Sequence, residues 1–291
     1  MNGIRKASHA GSWYTRSSSE LHSELETYLS NSSASPSNTS LKVLIGPHAG
    51  YAYSGPTAAW GYKNINPDSY STVFLLGPSH HAYLEGCHLP CSQSYDTPLG
   101  QLPVDREKVE SLRKTGKFGE LNKKTEEQEH SLEMHLPYIR HVFREKDVKI
   151  VPIMVGDVNL GSLNEYGTIF AEFLKSETNL FIISSDFCHW GQNFDFMPYD
   201  RSKGAIFEYI ELLDRDGMRL IEGHDLNGFY NYIQGTGNTI CGCNPIMVAM
   251  STILESGLNL RTQFVRYAQS NQVRNPRDFS VSYASSITTL L

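Results

Sequence analysis

The sequence predicts an α/β fold, with a mostly parallel central sheet covered by helices on both faces. Three observations carry that expectation. The runs Val43-Leu44-Ile45, Val73-Phe74-Leu75-Leu76 and Leu180-Phe181-Ile182-Ile183 are continuously apolar, as suits strands buried on both faces. Each run stops abruptly, at Gly46-Pro47, Gly77-Pro78 or Ser184-Ser185, and is followed by His or Asp. Segments with helical spacing separate the runs, the pattern of βαβ units.

The elements follow in order. Residues 7–14 are too aromatic for a loose tail and are expected to pack on the domain. Residues 17–29 form a helix with a Ser-rich cap and with Leu21, Leu25, Tyr28 and Leu29 on one face. Residues 31–40 are rich in Ser, Asn and Pro, a flexible surface loop. A strand over 42–45 leads to a helix that starts at Pro56 and runs to about residue 65. The strand at 72–76 precedes an irregular stretch, 84–101, with one edge strand. A short polar helix covers 105–114.

Residues 126–143 read as one longer helix with Leu132, His135, Leu136, Ile139 and Phe143 on a face, broken or kinked near Met134 by Pro137. A strand at 149–155, a helix at 163–174 and a strand at 180–184 complete the alternation. Helices are expected at 202–213, 217–222, 226–233 and 239–254. Strands at 261–268 and 279–287 close the chain as antiparallel pairs. There is no internal repeat and no evident linker, so residues 1–291 are expected to form a single domain.

Composition narrows the function classes. The chain has 291 residues, 40% hydrophobic and 19% charged, and a formal net charge of -6, which argues against nucleic-acid binding through a basic field. No apolar run approaches the roughly 20 residues of a membrane span. Residues 1–9 lack the apolar core of a signal peptide, so an intracellular, soluble protein is expected. The five cysteines, Cys87, Cys91, Cys188, Cys241 and Cys243, are odd in number and argue against a disulfide framework.

Ligand clefts of open parallel sheets lie beyond the C-terminal strand ends. His48, His80, His81, Asp157, Asp186 and His189 all fall at such ends. Gly-Pro-His and Gly-Pro-Ser-His after two separate strands place two imidazoles on fixed backbone, the usual start of a transition-metal site. His80 and His81 are neighbours whose side chains diverge, and spacing leaves open which one faces a ligand. Cys241 and Cys243 form C-x-C, not a zinc-ribbon pair. A buried thiol and a thiolate at a helix start both fit. Glu129-His130-Ser131-Leu132-Glu133-Met134-His135 is dense in polar groups but is not H-E-x-x-H. It reads as a surface helix. Asp186 and His189 suit an orienting carboxylate and a general base. There is no G-x-S-x-G elbow, P-loop or G-x-G-x-x-G, which disfavours serine hydrolases, NTPases and nicotinamide dehydrogenases.

Taken together, Ala7-Ser8-His9-Ala10-Gly11-Ser12-Trp13-Tyr14, Pro47-His48-Ala49-Gly50-Tyr51, Gly77-Pro78-Ser79-His80-His81, the 129–137 segment, Ser184-Ser185-Asp186-Phe187-Cys188-His189-Trp190-Gly191 and Asn238-Thr239-Ile240-Cys241-Gly242 resemble the Memo family, named for mediator of ErbB2-driven cell motility. The resemblance covers nearly the whole chain. It implies a fold similar to the class III extradiol non-haem iron dioxygenases and a metal triad of His48, His80 and Cys241. His189, Asp186, His81 and His135 are carried as candidate catalytic residues around that triad. The implied cofactor is an iron or copper ion. The dioxygenases use two histidines and a carboxylate. A thiolate in third place favours copper, particularly Cu(I), relative to that set while still permitting iron, so ring cleavage is not expected.

The family also implies redox effects, motility signalling, phosphotyrosine-containing or other signalling partners, and a cytoplasmic and also nuclear location, without nucleic-acid binding or membrane insertion. Two functions follow as expectations: a metal-dependent redox protein, or a non-enzymatic module that binds phosphotyrosine or other peptides in the same cleft. For the second, Arg266, Arg274 and Arg277 are the candidate phosphate contacts if the C-terminal segment folds over the cleft.

Overall fold

The computed structural model describes residues 3–34 and 40–291, so the middle of the Ser/Asn/Pro-rich loop lies outside the described residues. In chain order the strands are β1 (Ile4–Arg5), β2 (Leu41–Gly46), β3 (Thr72–Pro78), β4 (Cys87–Leu89), β5 (Ser94–Tyr95), β6 (Leu102–Pro103), β7 (Gly119–Glu120), β8 (Lys149–Val155), β9 (Asn179–Ser184), β10 (His189–Trp190), β11 (Leu260–Gln269) and β12 (Ser280–Leu290). The large sheet runs β10-β12-β2-β9-β3-β8-β4-β7, with β11 paired to β12.

Its centre, β2-β9-β3-β8, is parallel. Its flanks are not: β12 is antiparallel to β2, β10 and β11, and β4 is antiparallel to β8. The sheet is therefore mixed, α/β at its centre with antiparallel margins. Residues of β2, β3 and β9 are buried throughout, which is why these strands show no polar alternation. The register aligns Gly46 with Ser184 and Leu76 with Ile183. Three adjacent strands thus end level, and the segments after them emerge side by side.

Several element bounds differ from the sequence expectation. The helix after β2 is Tyr51–Tyr62, with Pro56 inside it. The ring removes one backbone donor, but a helix already begun at Tyr51 continues past it. Segment 123–142 is three short helices, Lys123–Gln128, His130–Glu133 and Leu136–Val142. Pro137 opens the last of these as expected. The additional break comes from Glu129, whose backbone is extended (φ -78°, ψ 126°) and whose carboxylate caps the following helix by accepting the Ser131 N–H. Ile206–Glu222 is one continuous helix. Gly217 does not start a new helix there. It gives room for the Tyr232 ring, which a Cβ would approach to 2.9 Å. The last helix, Cys243–Ser256, begins four residues later than expected. β10 was not anticipated.

The N-terminal segment is tied down by charge. Arg5 is fully buried and donates to Glu133 at 2.6 Å and to the carbonyls of Glu126 and Glu129 at 3.0 and 2.8 Å. Glu133 also accepts from the His9 N–H at 2.8 Å and from the Tyr14 hydroxyl at 2.8 Å. Removing one partner of such a pair leaves a buried charge without its counterpart. Arg5→Met is accordingly expected to lower unfolding stability by about 3–5 kcal/mol, read from urea denaturation. An unchanged midpoint would show that the pair contributes nothing.

Candidate metal centre

β2 delivers His48. Its backbone N–H donates to Asp186 Oδ1 at 2.8 Å, which fastens the turn after β2 to the turn after β9. The His48 ring is buried, with Nδ1 2.6 Å from Ser184 Oγ. The Ser184 hydroxyl donates its own proton to the Ser131 carbonyl at 2.8 Å. It therefore has only lone pairs left for the ring, and this assigns the proton to Nδ1. Nε2 is left with a bare lone pair, 3.1 Å from Cys241 Sγ.

β3 delivers His80. Its N–H and Nδ1 meet the two oxygens of Glu129 at 2.6 and 2.8 Å. An ionised carboxylate only accepts, so Nδ1 is again the protonated nitrogen and Nε2 again carries the lone pair. An imidazole held by a carboxylate in this way is the usual second shell of a metal-binding histidine. The two rings stand 5.2 Å apart at 75°.

Cys241 comes from the turn before helix Cys243–Ser256. The next residue explains its position. A Cβ on Gly242 would lie 2.3 Å from Ser185 Cβ and 2.4 Å from the Ser184 carbonyl oxygen. Only glycine lets this turn press against the end of β9. The Gly242 N–H donates to Ser185 Oγ at 3.1 Å and the Asp186 N–H to Cys241 Sγ at 3.3 Å. The donor atoms of His48, His80 and Cys241 all lie within 4.8 Å of one another.

The electrostatics suit these roles. Burial, then the neighbouring imidazoles His80, His130, His135 and His189, push His48 well below the ordinary histidine range, so the ring is neutral, as a ligand must be. Burial and then Asp186 push the Cys241 thiol well up. Burial would also raise Glu129, but its bonds and charge interaction with His80, and the charge interaction with His130, bring it down to about 2. The two imidazoles and the thiol offer a nitrogen–nitrogen–sulfur ligand set once a cation draws off the thiol proton. That donor chemistry fits a soft or borderline transition metal.

The other anticipated residues are distributed unevenly. Asp186 is buried, and burial raises its carboxyl against the pull of His189 and of the His48 and Ala49 N–H groups. His189 Nδ1 faces the carbonyls of Phe187 and Thr239 at 2.9 and 3.1 Å, so that nitrogen carries the proton and Nε2 is the basic one. His81 is exposed and lines the mouth of the cleft beside His80. His135 is not part of the cluster. It is buried against Gly46 and bonded through Nδ1 to the Tyr62 hydroxyl at 2.8 Å. Cys243 lies outside the cluster.

His130 and Glu129, read from the sequence as parts of a surface helix, are at the centre. His130 stacks on His80 (4.4 Å, 24°) and packs on Trp13 (4.4 Å). The available signal was the density of polar residues in that stretch, but an assumed continuous helix points them elsewhere. The cleft itself encloses about 330 Å³ and is lined by His80, His81, Tyr83, Asp157, Cys241 and Asn244 among others. No described lining residue is Lys or Arg. Arg266 and Arg274 lie instead over the rings of Trp60 and Phe207.

Comparison with known proteins places the chain. Residues 5–287 match the family described as Memo-like protein. The chain belongs to the Memo-like family. It is 46% identical to Protein MEMO1 of Xenopus tropicalis over 286 residues, covering 97% of this chain and 96% of the relative. It is 43% identical to Protein MEMO1 of Homo sapiens over 291 residues, covering 98% and 97%. It is 43% identical to Protein memo-1 homolog of Caenorhabditis elegans over 288 residues, covering 97% and 82%. Among the described residues of this Memo-like chain, no helix is long and apolar enough to cross a membrane.

Burial lowers His135 to about 3, opposed by a bond to the Gly46 backbone. The unfolded chain therefore takes up a proton near pH 6.5 that the folded chain refuses. This contribution to stability is complete above pH 6.5 and is lost as pH falls from there towards 3. Relative to His135→Gln, the wild-type protein is expected to lose about 1.4 kcal/mol more per pH unit between pH 6 and 4. Parallel stability–pH curves for the two proteins would refute this.

Proposed function

We propose that this Memo-like protein binds iron or copper through His48, His80 and Cys241, and that the centre serves redox chemistry coupled to cell motility signalling in the cytoplasm and nucleus. The observation that carries the reading is the convergence of two imidazole Nε2 atoms and one thiol, each oriented by a different hydrogen bond. When bound, such an ion supplies one-electron redox chemistry and a Lewis-acidic position for a small oxygen-containing ligand.

The protein's own residues supply the rest. Ser184 and Glu129 fix the two ring tautomers. Asp186 holds the His48 turn. The basic Nε2 of His189 is the group available to take or return a proton. His81, at the exposed mouth, is the proposed contact for whatever enters. The thiol in place of a carboxylate makes catechol ring cleavage no part of this reading.

A second reading has one specific observation in its favour. Beside His81 lies a shallow hollow of about 700 Å³ lined by Ser8, His9, Lys123, Lys124, Glu127 and Gln128. Two lysines there offer a phosphate the cationic partners that the cleft lining lacks, so a phosphotyrosine-containing segment of a signalling partner would seat its phosphate outside the metal cleft. Calorimetry with a phosphorylated peptide and its unphosphorylated twin separates the cases. Equal heats reject phosphate-dependent docking, and loss of the difference in Lys123→Gln/Lys124→Gln supports it.

For the metal centre, elemental analysis of purified protein is the direct test. His48→Ala and Cys241→Ser are expected to lose most of the iron and copper that the wild type carries, with Cys241→Ser losing Cu(I) most strongly because the soft ligand is gone. Equal metal content in all three would sink the proposal. Glu129→Gln keeps the shape but not the charge behind His80. It is expected to weaken metal binding about 10–100-fold, measured by competition with a chromophoric chelator.

A further inference from the structure

A second group of donors stands apart from the strand-end cleft. Helix Ser18–Ser30 packs beside helix Leu136–Val142. His22 and Glu26 are four residues apart and share one face of the first helix, and His141 meets them from the second. The donor atoms of the three lie within 4.8 Å of one another. His141 Nε2 is 3.1 Å from Glu26 Oε2, and the His22 and His141 rings are 4.8 Å apart. The His141 side chain is fully buried, and its Nδ1 has no hydrogen-bond partner. A hollow of about 620 Å³ opens over both histidines.

The geometry points to a second metal site, in which His22, Glu26 and His141 hold a divalent transition metal of the zinc type. Two imidazoles and one carboxylate form a three-ligand set that leaves a fourth position for water, and the hollow gives water access. Imidazole-rich sites favour zinc and its neighbours over magnesium or calcium. Two donors on one tetrahedral zinc, at bond lengths of roughly 2.1 Å, stand about 3.4 Å apart, close to the separation of Nε2 and Oε2. Burial, then the charges of His22 and Arg144, keep His141 below the ordinary histidine range despite Glu26, so its ring is neutral and able to ligate.

Two guanidiniums oppose the cation: Arg140 also lines the hollow, and Arg144 lies against the donors themselves. Arg144 Nη1 lies 3.4 Å from His141 Nε2 and 3.8 Å from Glu26 Oε2. Its side chain is half exposed, and the same nitrogen lies 3.5 Å from the His141 carbonyl. In this arrangement the guanidinium supplies the positive charge that the metal would bring, and the metal must displace it. The bound ion would clamp the N-terminal helix to the segment that follows the metal-centre motif.

The test is a zinc titration of the full chain by calorimetry. His22→Asn/Glu26→Gln changes two exposed positions, so folding is not at issue. It is expected to remove one zinc equivalent from the wild-type isotherm. The same pair added to a His48→Ala/Cys241→Ser background should abolish the zinc that background retains. Arg144→Gln should tighten that event about two- to fivefold. Cobalt bound in the His48→Ala/Cys241→Ser background should show visible ligand-field bands without thiolate charge transfer, and these should vanish with His22→Asn/Glu26→Gln. An isotherm unchanged by His22→Asn/Glu26→Gln would overturn the inference, as would a His48→Ala/Cys241→Ser protein that binds no zinc. Failure of the first centre would register separately, as equal zinc uptake by the wild type and the His48→Ala/Cys241→Ser protein.

Discussion

Glu129 sits where two short helices meet, with its backbone extended and its carboxylate buried. That carboxylate accepts from the His80 N–H, from His80 Nδ1 and from the Ser131 N–H, while its carbonyl accepts from Arg5. One residue thus ends a helix and anchors the N-terminal segment with its backbone, and starts the next helix and orients a ring with its side chain. An ionised carboxylate is tolerated at such depth only because its acceptor sites are filled. If those bonds were absent, burial would favour the protonated acid, which no longer presents two acceptors to His80.

The sheet sets the second condition. Level ends of β2, β9 and β3 bring the His48, Asp186 and His80 turns into one row. The backbone delivers two rings and a carboxylate, and the third ligand-type residue arrives from outside the sheet. Gly242 governs that arrival, because it is the point where the turn touches β9. The centre therefore depends on strand register for two of its corners and on a missing side chain for the third.

Much of this was legible in the chain. Buried parallel strands write themselves as unbroken apolar runs, so β2, β3, β8 and β9 and the histidines at two of their tips could be read directly. The choice between His80 and His81, and between Cys241 and Cys243, could not be made from spacing. Each turns on a contact across the fold: Glu129 with His80, and Gly242 with Ser185. The helical period over 126–143 was the misleading signal. Leu132, Leu136 and Ile139 do lie on buried faces, but Leu132 belongs to a different helix from Leu136 and Ile139, and the break at Glu129 separates His130 from the helix before it. His135 matched the period and went where the period put it, into the core and away from the cluster. Glycine read as punctuation failed at Gly217, which is there for the Tyr232 ring and not for a turn.

The hydrogen bonds of the centre also join parts of the chain that are synthesised far apart in time. His48 meets Ser184, 136 residues later in the chain, and Cys241, 193 residues later. β9, which lies between β2 and β3, is translated after both. A growing chain on the ribosome therefore carries β2 and β3 with a gap between them until the middle strand emerges, and their apolar edges need shelter for that interval. The histidines are made early, but the contacts that close the pocket around them wait for residues up to 193 positions later in the chain.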